Sequence, residues 1–255
     1  TLAQKINYSR SYFNDTLSFT ELSTESAGKW KPQYGNVYMK GALISACLDL
    51  YLLKLSDGQY GFKNLKHDLG VKFGKDKFFE DAVLFDEIEK LSYPEIKQFL
   101  LTYVDGSKPI PYEEYFGLAG VQYIPKEVTK SFSLGGVSIT PDAGKLILGT
   151  KNMNDFGKKM GYQDGDELVS INGTVISAGN IQTYIQELNT TVKEGDMVDV
   201  VVKRKNANGE TGNVTLSAPA IKIERIQAHV LRFDKNAPAD QLKLRNTWLN
   251  TSCSN

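Results

Sequence analysis

Zinc sites draw mainly on imidazole and thiolate ligands, and of these the 255-residue chain offers only His67, His229, Cys47 and Cys253. A zinc peptidase site sets two histidines four residues apart on one helical face, with an intervening glutamate as general base. Neither histidine has a partner at that spacing, and His67, within Lys66-His67-Asp68, reads as a surface residue of a helix. Cys47 lies in an apolar segment and Cys253 near the end of a polar tail, which gives no disulfide framework. The expectation is that this chain carries no metal site or resident cofactor and, taken alone, hydrolyses no peptide.

The most specific run is Gly161-Tyr162-Gln163-Asp164-Gly165-Asp166-Glu167-Leu168-Val169-Ser170-Ile171-Asn172-Gly173-Thr174. Its glycines suit positive φ, and Asn172-Gly173 suits a tight hairpin turn. The run resembles the PDZ signature, in which a short helix ends at Gly, a Gly-Asp turn follows, and a strand leads into an Asn-Gly turn. That resemblance implies a groove where an extended peptide adds as a strand and a nest of backbone N–H groups holds its terminal carboxylate. Leu134, Gly135, Gly136 and Val137, followed by Ser138 and Ile139, are the residues it implies for nest and strand. The facing helix begins at Asn180 and carries Ile181 and Tyr184; it has no His, the residue that would select Ser or Thr in a ligand. The contrary expectation is a groove filled from within the protein.

The second signal is Val37-Tyr38-Met39-Lys40-Gly41-Ala42-Leu43. It is accompanied by Glu21-Leu22-Ser23, Leu48-Asp49-Leu50, Pro111-Tyr112-Glu113-Glu114-Tyr115, Ala119-Gly120-Val121 and Leu244-Arg245-Asn246-Thr247-Trp248-Leu249. Together they resemble the glycyl aminopeptidase family over nearly the whole chain. The resemblance implies a bacterial zinc peptidase that removes small N-terminal residues from peptides. It implies that the zinc and its His-Glu-X-X-His motif belong to a catalytic half preceding Thr1, and it favours a periplasmic or secreted location. It also implies that Tyr38 points its phenol at the active site and donates to the tetrahedral oxyanion. Lys40 would then cap a helix or form an ion pair.

A hydrophobic content of 41% is enough to fill real cores. Thirty basic residues balance thirty acidic ones, which provides no general attraction to nucleic acid or anionic lipid. The longest apolar stretch, Gly41 to Leu53, is interrupted by Asp49 and falls short of the ~20 residues that span a bilayer. It reads as a buried helix. Helical spacing runs from about Val37 to Tyr123, with stripes Leu43, Cys47, Leu50, Leu53 and Phe78, Ala82, Phe85, Ile88, Leu91. After Pro125 short β-type runs follow, interrupted by a helix from Asn180 to Leu188.

The predicted fold class is α+β and multidomain: a helical bundle, implied by the resemblance to be the C-terminal part of a thermolysin-like catalytic domain, followed by a PDZ-like β domain. The expected divisions are residues 1–127, 128–220 and an appendix at 221–255 with a strand and a short helix. The alternative function is a non-catalytic peptide-binding or scaffolding module.

Overall fold

The computed structural model describes residues 1–74, 77–206 and 208–253, the last three by backbone only, so the side chain of Cys253 lies outside it. In chain order the helices of the first half are α1 Leu2–Tyr12, α2 Phe19–Thr24, α3 Tyr34–Leu55, α4 Phe62–Phe73, α5 Leu84–Leu91, α6 Pro94–Leu100 and α7 Tyr112–Gly117. There follow β1 Val121–Phe132, β2 Ser138–Asp142, β3 Lys145–Gly149, α8 Asp155–Met160, β4 Glu167–Ile171, β5 Thr174–Val175, α9 Ile181–Thr191, β6 Met197–Lys205, β7 Thr211–Pro219, β8 Lys222–Phe233 and α10 Ala239–Cys253. Two compact units result, one of residues 1–127 with 227–255 and one of residues 128–226. The chain is thus mixed, with helices in the first unit and an antiparallel sheet in the second.

The first unit is organised around α3. Its stripe Leu43, Cys47, Leu50 and Leu53 is buried and packs with Ile96, Phe99, Phe116 and Leu244 in one core. The same stripe continues toward the N-terminus as Asn36 and Lys40, both buried although polar. Such groups are tolerated inside only when hydrogen-bonded. Asn36 Oδ1 accepts from Ser9 Oγ at 3.0 Å, and its amide donates to the Asn14 carbonyl at 3.4 Å. Lys40, only 1% exposed, donates to the Asp15 carbonyl at 2.9 Å and to the Leu17 carbonyl. Burial holds the Lys40 ammonium below the usual lysine range, and the nearby Asp15 partly offsets this. The connection between α1 and α2 is therefore tied across the top of α3 by polar groups.

Two expectations need correction in this unit. The stripe from Phe78 to Leu91 does not form one helix: α5 starts at Leu84 after a 3₁₀ turn at Asp81–Val83, and Phe78 is exposed. Residues 221–255 are also not a separate appendix, because the part from Gln227 onward belongs to the first unit. There Leu244 enters the core, and Arg245 donates to the carbonyls of Ala119, Gly120 and Asp234 at 2.9, 3.1 and 3.1 Å.

In the second unit the sheet order is β2-β3-β4-β6-β7, with β5 pairing β4, and all pairs described are antiparallel. Its core joins Leu146, Leu148, Phe156, Leu168, Ile171, Val198 and Val200 with Leu188 of α9. Asn172 and Gly173, at φ +48° and +80°, make the turn between β4 and β5. Asp166 is 2% exposed and receives Arg204 through two bonds, Nε to Oδ1 at 2.8 Å and Nη2 to Oδ2 at 2.6 Å. The Gly-Asp turn of the sequence signature thus ends in a forked, sheltered ion pair.

Lys40→Met keeps the apolar stem but leaves two inward carbonyls without a donor. It should lower stability by about 2 kcal/mol, read as a reduced denaturation midpoint of the first unit; an unchanged midpoint would mean the ammonium adds nothing net.

Candidate functional site

A groove in the second unit is built from an edge strand, a helix and a glycine loop. β2 pairs with β3 on one side, Ser138 opposite Gly149 through Asp142 opposite Lys145, and no described strand pairs on its other side. Edge strands present unpaired N–H and C=O groups, a template for adding another strand. Across from this edge stands α9, fixed to the sheet by buried Leu188 and by the Tyr184 hydroxyl, which donates to the Ile171 carbonyl at 3.1 Å. Between them lies a cavity of about 320 Å³ lined by Ile139, Pro141, Leu146, Ala178, Ile181, Gln182 and Ile185. Gln182 is its single polar side chain among the described residues.

The chain enters β2 through Ser133 to Val137. Gly135 and Gly136 have φ of +98° and +73°, a region closed to most side-chain-bearing residues. Space requires glycine as well: a Cβ on Gly135 would lie 2.5 Å from Gly157 Cα, and one on Gly136 would lie 2.4 Å from the Asn152 carbonyl oxygen. The loop is pinned to the start of α8, since the Asn154 N–H donates to the Gly135 carbonyl at 2.9 Å and the Asn154 side chain donates to Ser133 Oγ at 3.0 Å. Gly135 N–H is satisfied by Ser133 Oγ, whereas the N–H groups of Gly136 and Val137 find no acceptor among the described residues. Two free amides thus precede the open strand edge, an arrangement able to hold a carboxylate.

Of the residues singled out in the sequence, Ile139 and Ile181 meet across the cavity, and Gly136 and Val137 supply the free amides. The remainder do structural work. Leu134 packs on the core, Gly135 makes the turn, and Ser138 Oγ donates to the Gly149 carbonyl. Asn180 ties down the start of α9, accepting from Ser177 N–H at 2.8 Å and donating to the Val175 carbonyl at 2.9 Å. Sequence reasoning missed Pro141, Leu146, Ala178, Gln182 and Ile185 as lining. Ile185 was legible as the next turn of the Ile181 face, but Leu146 required the β2–β3 register, which sets it opposite Pro141.

In the first unit Tyr38 stands on the second turn of α3 and is 58% exposed. Its hydroxyl shares a hydrogen bond of 2.9 Å with that of Tyr34, one turn earlier, and the rings meet edge to face at 5.6 Å. The bond to Tyr34 raises the Tyr38 phenol above its ordinary range, so it remains protonated at neutral pH. Lys40 is neither cap nor ion-pair partner; its ammonium is the buried clamp on the Asp15 and Leu17 carbonyls.

Both histidines belong to the first unit. His67 is exposed on α4 beside Asp68, with Nδ1 to Oδ1 at 3.2 Å. His229 Nδ1 lies 2.7 Å from the Tyr123 hydroxyl, which in turn accepts from Arg10 Nη1 at 2.9 Å. The Tyr123 hydroxyl accepts from Arg10 and, with its own proton and a second lone pair, pairs with His229 Nδ1 in either imidazole tautomer. Burial and then the Arg10 charge lower the His229 pKa. No group of three or more His, Cys, Asp and Glu among the described residues is placed to hold a metal ion. The residues present do not fit a zinc site. No helix among them is long and apolar enough to cross a membrane.

No family model and no curated protein sequence matches the chain. Among solved structures, an aminopeptidase N family protein from Idiomarina loihiensis is similar over 95% of this chain and 43% of its own, at 19% identity and a TM-score of 0.46. The PDZ domain of EpsC from Vibrio cholerae is similar over 32% of this chain and 93% of its own, at 20% identity and a TM-score of 0.24. The chain therefore spans less than half the length of that aminopeptidase N family protein.

The lowered pKa of His229 gives a pH dependence of known sign. The unfolded chain takes up the proton near pH 6.5 while the fold resists it, so stability present above that pH is lost on acidification toward the folded pKa. His229→Gln removes this contribution. The melting-temperature gap between parent and variant should shrink between pH 7.5 and pH 5; a widening gap would reverse the sign assigned to the network.

Proposed function

We propose that the second unit binds the C-terminal end of an extended, apolar peptide by strand addition. The observation that carries this reading is one continuous surface: the free edge of β2, the apolar cavity shared with α9, and the two unpaired amides of Gly136 and Val137. A peptide laid beside β2 would complete the ladder, its carboxylate would meet the two amides, and its last side chain would enter the cavity. Ile139, Leu146, Ile181 and Ile185 favour an apolar side chain there by excluding water from it.

On this reading the chain is the C-terminal part of a zinc aminopeptidase, of glycyl aminopeptidase type, acting on peptides with small N-terminal residues. Its zinc would be held by protein outside this sequence. What supports the catalytic part is Tyr38: a protonated, exposed phenol on a long, well-packed helix, able to donate to an oxyanion when Tyr34 donates to it.

Titration of the full chain with a short peptide ending in an apolar residue tests the groove. Binding should weaken about tenfold or more when the terminal carboxylate is amidated, and Ile185→Lys should abolish it; equal affinity for acid and amide would end the proposal. The catalytic part is tested in a longer parent enzyme. Tyr38→Phe keeps the ring and should lower kcat about 10²-fold with KM little changed, whereas a kcat within about threefold of the parent makes Tyr38 a packing residue.

A further inference from the structure

The open edge of β2 does not offer the same groups along its whole length. Residues opposite each other in an antiparallel pair alternate between those that exchange both backbone hydrogen bonds and those whose N–H and C=O point away from each other. The register of β2 with β3 ends at Asp142 opposite Lys145, joined by Ala143 and Gly144 with φ of +45° and +81°. Positive φ at both central residues marks a two-residue I′ hairpin, which is closed by a bonded pair. Counting back from that pair, Thr140 with Ile147 and Ser138 with Gly149 are bonded, while Ile139 and Pro141 turn their backbone groups outward. β3 gives independent support. Leu148, opposite Ile139, donates its N–H to the Asp166 carbonyl at 2.8 Å and accepts from the Gly165 N–H at 2.9 Å, so its backbone faces the segment leading into β4 and not β2.

Continued to the residue before β2, the alternation turns Val137 outward as well, in keeping with its N–H finding no acceptor among the described residues. Ile139 presents both a donor and an acceptor. Pro141 presents a carbonyl alone, because proline has no N–H. Within sheets proline is confined to places such as an edge where the missing N–H would face outward, and that is its place here. Beyond it only Asp142 remains, bonded to Lys145, before the chain turns back.

On the reading of this edge as a peptide site, on which the inference rests, the carboxylate at Gly136 and Val137 fixes both the direction and the register of the ligand. Its C-terminus lies at the start of β2, so it runs antiparallel, with its last residue opposite Val137, its third-from-last opposite Ile139 and its fifth-from-last opposite Pro141. The third-from-last residue exchanges two bonds with Ile139. The fifth-from-last can give its N–H to the Pro141 carbonyl, but its own carbonyl meets no donor. We infer that Pro141 ends the ladder, so that the site reads the last three residues of a peptide and draws little from anything upstream. Its ligands are then short C-terminal segments, whatever chain precedes them. The same missing donor keeps a longer strand from pairing along the whole edge.

The test titrates the full chain with N-acetylated peptides of three, five and seven residues, all ending in leucine and extended upstream with alanine. In the parent protein the three affinities should agree within about threefold. Pro141→Ala restores an outward N–H at an exposed edge position, and in that variant the five- and seven-residue peptides should gain about fivefold over the three-residue one. Pro141 also lines the cavity, so the substitution can change the affinity of every peptide. The ratio of long to short peptide within each protein is therefore the quantity read, since a lost wall contact leaves it unmoved. A gain with length above about threefold in the parent overturns the inference while leaving the peptide reading in place. So does a length gain that is the same in parent and variant. If none of the three peptides binds saturably, the peptide reading itself falls and the inference falls with it.

Discussion

A single ammonium group held away from water sets the arrangement of the first unit. α3 is long and mostly apolar, and at Lys40 its inward stripe presents a charge that cannot be left unsolvated. The carbonyls of Asp15 and Leu17 take the place of water, and to supply them the chain between α1 and α2 must close over the helix. Once that connection is fixed, Ser9 reaches Asn36 and α2 lies with Phe19 against Gly41, where a Cβ would be 3.1 Å from the Phe19 ring. A helix advances about 100° per residue, so Tyr38, two positions from Lys40, is turned to the opposite, solvent side. The buried lysine and the exposed phenol are two outcomes of one helical register.

The second unit answers a different constraint, that of an edge strand left open without collapsing. Its groove has supports on either side: the Tyr184 bond that ties α9 to the Ile171 carbonyl of β4, and the contact of Gly135 with Gly157 that seats the loop on α8. The Asp166–Arg204 pair closes the turn at the far end of the motif, with Arg204 also donating to the Gly161 carbonyl at 2.8 Å. Among the described residues the amides of Gly136 and Val137 find no acceptor.

Much of this was legible in the chain. The turn at Asn172-Gly173, the end of α8 at Gly161 and the buried stripe of α3 follow from local rules, because glycine conformation and helical period act over a few residues. The stripe of α5 read too long for the same reason: periodicity continues through Phe78 and Ala82, but nothing local reports that Phe78 has no core to face. Asn36 and Lys40 were invisible as core residues, since a polar side chain is admitted inside only by partners distant in sequence.

The sequence by itself determined the element types, the glycine loop, the lack of histidines at zinc-ligand spacing, and Ile139 and Ile181 as candidates for one groove. Only the tertiary structure decided which candidates line the groove. It turned Tyr184 and Asn180 to structural bonds, brought Leu146 into the groove through strand register, and left two amides and one strand edge unpaired. The physical reason is that a side chain's type and period are local properties, whereas whether its hydrogen bonds are already satisfied depends on neighbours that only the folded chain assembles.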